Sequence, residues 1–455
     1  MTWDFDWGKP ALPHSCFQTR DHSTNWFLDD PGILNYGRHQ SYTKSPQTFL
    51  EDYRRLADMV ERLGLHGFAV WGLLRDSHGG IEQARRLSEY CASRGIALMP
   101  AIGMSTSGGV YYEGDHRYNL ETFLDTHPDA RLVGEDGARS GWCACPSSPA
   151  LAEWLEEGTD WLLRELTVGD ICFDDGEAVP CHCRRCTDLR ARSSDVGPDA
   201  AGMTLDAYGA ARRAVARHVG SSTLGTTVCY ALGSGITQGK EQRLDLRAGE
   251  VVQWTLTGML REPGLPFKTF VEDGSPAAAF DNPAWAAGVS SPASRCTGLA
   301  HQGSQWSPHA GQGRYSLILG TIKEMCLKAY EAGLEGVSIF SEVSPAYTTA
   351  ALNYLAFAHF THWPRDSLVD FGRKTLGRLF GDAEEGEFFI RALADWDSNE
   401  VLPVTKNCVF RRADDWSDPF INYHLYLNDP QKKRFWRWLN GVLAGRVDPH
   451  CILMI

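Results

Sequence analysis

Gly67-Phe68-Ala69-Val70-Trp71-Gly72-Leu73 stands between two amphipathic stretches, Pro46 to Leu63 and Ile81 to Arg94. The seven residues show no apolar–polar alternation, so they read as a strand buried on both faces, the mark of a parallel sheet. The stretch before them carries Phe49, Tyr53, Leu56, Met59, Val60 and Leu63 at helical spacing. The stretch after them stops at Gly95, a natural helix C-cap, and a further apolar run, Ile96–Ile102, follows. Strand, helix, strand in this order is a βαβ unit.

The same alternation continues in both directions. A first strand lies near His14–Arg20. After a long excursion, a helix at Pro149–Leu166 leads into a strand at Asp170–Phe173, and a helix at Thr204–Val219 into a strand at Thr226–Tyr230. Strands at Val251–Leu256 and Arg295–Leu299 follow, then a helix from Arg314 to Ala332, stopped by Gly333, and an eighth strand at Val337–Phe340. Eight such units predict an α/β fold, a (β/α)8 TIM barrel with elaborated loops over residues 1–345. A doubly wound open sheet is the weaker alternative, because no glycine-rich dinucleotide fingerprint follows the first strand. From 346 to 455 the strand pattern is lost, and helical stretches such as Asp366–Phe380 and Asp382–Asp395 predict an α-helical C-terminal extension.

Composition narrows the function classes. The 455 residues carry a formal charge of -13 with no basic concentration, which argues against a nucleic-acid partner. No run reaches the roughly 20 apolar residues of a membrane helix. Met1 to Trp7 holds neither a basic n-region nor an apolar h-region, so the expected location is cytoplasmic. Thirteen cysteines fit that, since Cys91, Cys172, Cys229 and Cys326 sit alone in apolar stretches and read as reduced core thiols. Oligomeric state is left open, a homo-oligomer included.

Chemistry concentrates after the fourth strand. Asp174-Asp175-Gly176-Glu177 is followed by Cys181-His182-Cys183-Arg184-Arg185-Cys186. Acids so close repel one another and are tolerated where solvent, a cation or a reaction uses them. The three thiols, with a fourth upstream in Cys143-Ala144-Cys145, fit a structural zinc with a closed four-thiolate shell; His182 reads as a bystander.

Catalytic groups of such barrels project from strand C-termini. The strand ends supply Arg20, Asp21 and His22; Trp71, Arg75, Asp76 and His78; Asp174, Asp175 and Glu177; Tyr230; Trp254; His301, Gln302, Gln305 and Trp306; and Glu342. Carboxylates with aromatic rings and hydrogen-bonding groups suit a sugar pocket, where acids protonate the leaving oxygen and rings stack on the sugar. The candidate catalytic residues are Asp174, Asp175, Glu177 and Glu342. The candidate substrate-binding residues are Arg20, His22, Trp71, Arg75, Asp76, Tyr230, Trp254, His301, Gln302 and Trp306. Plainer readings stand beside these: an Arg75–Asp76 ion pair, barrel packing for Trp71 and Trp254, and structural roles for His22 and His78.

Cys145-Pro146-Ser147-Ser148-Pro149, a helix, a strand ending in acids and then Cys181-x-Cys183-x2-Cys186 resembles the family 42 β-galactosidases. The resemblance covers about fifty residues. It implies a structural zinc held by Cys145, Cys181, Cys183 and Cys186, with Cys145 preferred to Cys143, just after the acid/base residue. This chain departs from that family in having Phe-Asp-Asp-Gly-Glu where the family has Asn-Glu. The acid-rich strand, the cysteine loop, Glu342, Asn353-Tyr354 and Trp363-Pro364 are also similar to uncharacterised bacterial glycosidases related to families 20 and 67. Phe173-Asp174-Asp175 looks like the paired aspartates of family 84 hexosaminidases.

The expected activity is therefore an exo-acting glycoside hydrolase with carboxylate acid/base catalysis and a structural zinc. The alternatives are a substrate-assisted β-N-acetylhexosaminidase using Asp174 and Asp175, a non-catalytic carbohydrate-binding barrel, and, more weakly, a metal-dependent hydrolase built on Asp21, His22, Asp76 and His78.

Overall fold

The structure, a computed structural model, describes residues 3, 5–21, 24, 44–106, 108–174, 180–192, 201–218, 227–231, 250–255, 295–301, 319–331, 333–340 and 348–398. Its strands are β1 (Cys16–Arg20), β2 (Gly67–Trp71), β3 (Ala97–Gly103), β4 (Arg131–Val133), β5 (Arg139–Ala144), β6 (Asp170–Asp174), β7 (Thr227–Ala231), β8 (Glu250–Thr255), β9 (Arg295–His301) and β10 (Gly336–Phe340). All but β4 and β5 pair in parallel in the order β1-β2-β3-β6-β7-β8-β9-β10, and β10 returns to β1 to close the sheet.

The register confirms the geometry. Arg20 is level with Trp71, Ala101, Cys172, Cys229, Val251 and Arg295. Extended by the β9–β10 and β10–β1 pairings, the same level returns to the first strand at Leu12 instead of Arg20, a stagger of eight residues. That is the shear of an eight-stranded parallel barrel.

Local signals explain the helices. In α1 (Pro46–Arg62), Ser45 caps the first turn by accepting from the Thr48 N–H, with proline in the first turn. It buries Phe49, Leu50, Tyr53, Leu56, Ala57, Met59 and Val60. α2 (Gly80–Ser93) ends through Arg94, with the predicted Gly95 following it at φ 68°. α3 (Leu120–Thr126) is capped by Asn119 and α4 (Pro149–Glu165) by Ser148. Among the described residues, α5 (Arg184–Arg192), α6 (Ala201–His218), α7 (Leu319–Glu331) and α8 (Thr348–His362) follow. In α8 every residue from Ala351 to His362 is buried, as an all-round apolar helix requires. Beyond it, Leu368–Phe371, Gly372–Leu376 and Gly377–Phe380 run as consecutive helical turns, and Ala383–Ser398 packs back on them. Gly372 and Gly386 meet there backbone to backbone.

The excursion between β3 and α4 has structure that apolar periodicity does not announce: α3 and the antiparallel β4–β5 hairpin. Half of β5 is exposed and its buried residues, Cys143 and Ala144, are adjacent, so no alternating face marks it. The sheet itself has two distinct faces. Phe17 packs on Tyr354 and Phe357 of α8, with ring centroids 5.3 Å and 5.7 Å away, and Phe68, Val70, Leu98, Ile102, Ile171 and Phe173 belong to the same outer core. Cys16, Ala69 and Met99 form a separate cluster on the inner face. The two-residue period of a strand then puts Arg20 and Trp71 on that inner face at the C-terminal end. Cys91, Cys172 and Cys326 are buried free thiols, and burial raises Cys91 to about 12. No helix among the described residues is long and apolar enough to cross a membrane.

Glycine at the start of strands allows the sheet to close. A Cβ on Gly67 would collide with the Ala97 carbonyl oxygen; one on Gly169 would lie 2.5 Å from the Ala97 Cα, and one on Gly336 2.5 Å from the His14 carbonyl carbon. Gly67→Ala is expected to destabilise the protein by about 1–3 kcal/mol or more, because backbone cannot move aside. Gly95→Ala meets nothing within 4 Å and suffers only the left-handed backbone, about 1–2 kcal/mol. Denaturant midpoints of the two variants measure this; a Gly67→Ala midpoint equal to wild type would contradict it.

Candidate active site and metal centre

Charged and aromatic side chains gather at the C-terminal ends of β1 and β2. Arg75 is 1% exposed and Asp21 2% exposed, so neither is a surface charge. Arg75 Nε donates to Asp21 Oδ2 at 2.6 Å and its Nη1 to Glu113, while its guanidinium lies 4.9 Å from the Tyr112 ring centre. Burial alone would pull the Arg75 guanidinium down; Asp21 and then Glu113 offset this and hold it above its ordinary value. Gly72 makes room for the Asp21 carboxylate, since a Cβ there would sit 2.5 Å from Asp21 Cγ. His78 Nε2 is 2.8 Å from the Gly72 carbonyl, so that nitrogen carries the proton, and the ring stacks on Phe49 at 3.8 Å.

Arg20 lies nearer the opening. Its Nη1 donates to the Tyr112 hydroxyl at 3.3 Å, and its guanidinium lies 5.5 Å from the Trp71 ring centre. Glu113 keeps a quarter of its side chain exposed, far more than Arg75 or Asp21. The fully buried Lys44 donates to the Thr24 carbonyl and to Asp52, tying the chain just after β1 to α1. Burial lowers Lys44 from its ordinary value despite Asp52.

The predicted site residues fall into three groups. Arg20, Trp71 and Arg75 come together as described. The Arg75–Asp76 ion pair does not form: Arg75 turns to Asp21 and Glu113, while Asp76 accepts from the Tyr111 hydroxyl and from the Asp115 N–H at 2.9 Å. Asp174, Tyr230, Trp254 and His301 occupy the C-terminal ends of β6, β7, β8 and β9, but not one face. Asp174, level with Gly103 and Ala231, and His301, level with Phe340, fall on the inner face. Tyr230, level with Phe173, and Trp254, two positions past Val252 at that level, fall on the outer one, against the expectation that they line the pocket. His22, Asp175, Glu177, Gln302, Gln305, Trp306 and Glu342 lie outside the described residues. Sequence reasoning missed Tyr112 and Glu113, which stand in the excursion after β3 where neither helical nor strand period applies. The one available signal was the polar-aromatic run Tyr111-Tyr112-Glu113-Gly114 itself.

The cysteine knot is compact. Sγ atoms of Cys145, Cys181, Cys183 and Cys186 all lie within 4.8 Å of one another. Cys145 Sγ is 3.7 Å from Cys183 Sγ and 3.4 Å from Cys186 Sγ. A tetrahedral metal with bonds of about 2.3 Å to sulfur needs sulfurs about 3.8 Å apart, so four soft donors at these separations fit a metal ion. Among the described residues this is the one group of three or more His, Cys, Asp or Glu side chains so placed. Cys143 is buried against the knot but is not one of the four, and His182 contributes its N–H to the Val133 carbonyl. Hydrogen bonds from Cys145 and Cys186, and then from the Val133 and Cys183 N–H groups, hold Cys181 far below the ordinary thiol range. Contact with Cys145 and then Cys181 pushes Cys186 up, and contact with Cys181 pushes Cys145 up to about 11.

No protein-family model matches the chain, and none of the curated proteins does. Solved structures do align with it. A GH138 enzyme targeting pectin rhamnogalacturonan II is 11% identical with a TM-score of 0.49, over 85% of this chain and 43% of its own. A β-N-acetylhexosaminidase from Bacteroides fragilis NCTC 9343 is 13% identical with a TM-score of 0.49, over 83% and 72%. The GH20 β-N-acetylhexosaminidase from Streptomyces coelicolor A3(2) is 11% identical with a TM-score of 0.48, over 83% and 70%. Similarity at this level assigns neither a substrate nor a residue role to the present chain.

Proposed function

We propose that the protein is a glycoside hydrolase, exo-acting on a carbohydrate substrate, whose proton donor is one of the acids that follow β6. The observation that carries this reading is positional. β6 ends at Asp174 on the C-terminal rim of a closed parallel barrel, so Asp174, Asp175 and Glu177 leave the sheet where such barrels do their chemistry. The same rim carries Arg20 over Trp71, a cation and a flat ring suited to sugar hydroxyls and a sugar face. His301 ends β9 on the same inner face, level with Phe340 and Gln18. Tyr230 and Trp254 fall on the register of Phe173, the outer face, and drop out of the proposed pocket.

In this reading Asp175 or Glu177 protonates the glycosidic oxygen. Glu342, two residues beyond the end of β10, serves as nucleophile, base or sugar ligand. The remaining substrate contacts are assigned to His22, Gln302 and Trp306 beside the residues already placed. Arg75 and Asp76 would act one step back, since both are committed to protein partners. The adjacency of Asp174 and Asp175 favours a second version in which an acetamido group of the substrate is the nucleophile and the two aspartates orient it and donate the proton.

The knot would hold zinc. Four thiolates fill a tetrahedral shell and leave no open position, so the metal's chemistry there is structural. Cys181 comes seven positions after Asp174, which makes the knot the distal anchor of the acid-bearing segment.

Two experiments test the reading. Asp175→Asn and Glu177→Gln are assayed on chromogenic galactosides and N-acetylhexosaminides. The variant of the proton donor loses about 10²–10⁴ in turnover; wild-type turnover in both contradicts the assignment. Sugar binding without cleavage by the unaltered protein would make it a binding barrel. Metal analysis of the full chain should find one zinc, and its removal by a chelator should lower activity before the far-ultraviolet circular dichroism of the barrel changes. Simultaneous loss of both signals would mean that the knot supports the whole fold.

A further inference from the structure

Ser147 is buried, 7% exposed, between two of the four knot sulfurs. Its Oγ lies 2.8 Å from Cys186 Sγ and 3.3 Å from Cys145 Sγ. A turn in which the Ser148 N–H donates to the Cys145 carbonyl at 3.0 Å folds the serine back onto the thiols. Other sulfurs receive backbone donors: Val133 N–H on Cys181 Sγ and Cys186 N–H on Cys183 Sγ, each at 3.4 Å. Four thiolates around a divalent cation keep a net charge of two minus, and buried charge needs donors around it. The backbone supplies them to Cys181 and Cys183. At Cys186 the short contact is a side chain.

We infer that Ser147 is a positioning residue of the metal centre, its hydroxyl proton donated to the Cys186 thiolate and its placement governing how tightly the metal is retained. This rests on the metal reading of the knot and goes beyond it by naming the outer donor. The hydroxyl has one proton to give, and the 2.8 Å contact to Cys186 takes it in preference to the 3.3 Å contact to Cys145. A metal ligated by Cys186 holds it as a thiolate, with no proton of its own, so at the 2.8 Å contact the sulfur can only accept. Neighbouring serines thereby divide the work: Ser148 accepts from the Leu151 N–H to cap α4, and Ser147 serves the knot.

The test uses the full chain loaded with zinc and, separately, with cobalt(II), titrated against a competing chelator. Ser147→Ala is expected to weaken metal retention ten- to a hundredfold, at about the scale of lost outer-shell partners, and to shift the sulfur-to-cobalt charge-transfer band. Ser148→Ala, which removes the helix cap from the same turn, should lower thermal stability and leave retention and the band unchanged. Unchanged retention in Ser147→Ala overturns the inference, as does equal weakening in both variants, which would mean a loosened turn. A wild-type chain that takes up neither metal overturns the metal reading itself and this inference with it.

Discussion

Backbone meeting backbone at the beginnings of the strands is the constraint on which the rest of the molecule depends. At Gly67 and Gly169 the neighbouring chain at Ala97 occupies the space a side chain would need, and at Gly336 the His14–Ser15 backbone does. A Cβ at any of these points would push adjacent strands apart. The eight-residue stagger requires every neighbour to keep both its spacing and its level. An error at one strand start would therefore be carried to the opposite end of the sheet, where the candidate site lies. The outer helices tolerate more, because side chains with several rotamers mediate their contacts.

At the opposite end the problem is charge. Asp21 and Arg75 are buried almost completely, a costly arrangement unless each remaining hydrogen-bonding position finds a partner. Glu113, the Tyr112 ring and the room left by Gly72 supply that environment. The pair links β1, the segment after β2 and the excursion after β3 into one wall of the rim. Arg20 and Trp71 rest on that wall. The side chains that line the opening are thus held by a second layer that solvent hardly reaches, which is how a site built on loops acquires fixed geometry.

Much of this was legible in the sequence. The unbroken apolar run at Gly67–Leu73, the capped helices and Gly95 carry short-range signals, and the alternation they set up gives a parallel α/β sheet. Three thiols of the knot, Cys181, Cys183 and Cys186, were legible for a similar reason, their spacing being local. The preference for Cys145, far upstream, over Cys143 rests only on the resemblance to the family 42 β-galactosidases. The α3 and β4–β5 excursion was not legible, because β5 has no alternating period to read. Nor were the partners of Arg75. Asp76 is adjacent in sequence, but the side chain turns to Asp21, 54 residues away, and Glu113, 38 away, a choice made only by the closed barrel. Residues of the site that come from strand ends could be named from strand order alone; those from the excursion could not.

The proposed activity requires an acid following β6 and the acid following β10 to meet across the barrel opening on either side of a glycosidic bond. The most direct measurement is a crystal structure of the protein with a bound monosaccharide. The sugar is expected on the C-terminal rim, near Arg20 and Trp71, with its anomeric carbon between Glu342 and Asp175 or Glu177. The carboxyl separation would then be about 5–5.5 Å for a retaining enzyme or about 6.5–9.5 Å for an inverting one. A sugar bound away from that rim, or on it with none of these carboxylates within reach of the anomeric carbon, would contradict the claim.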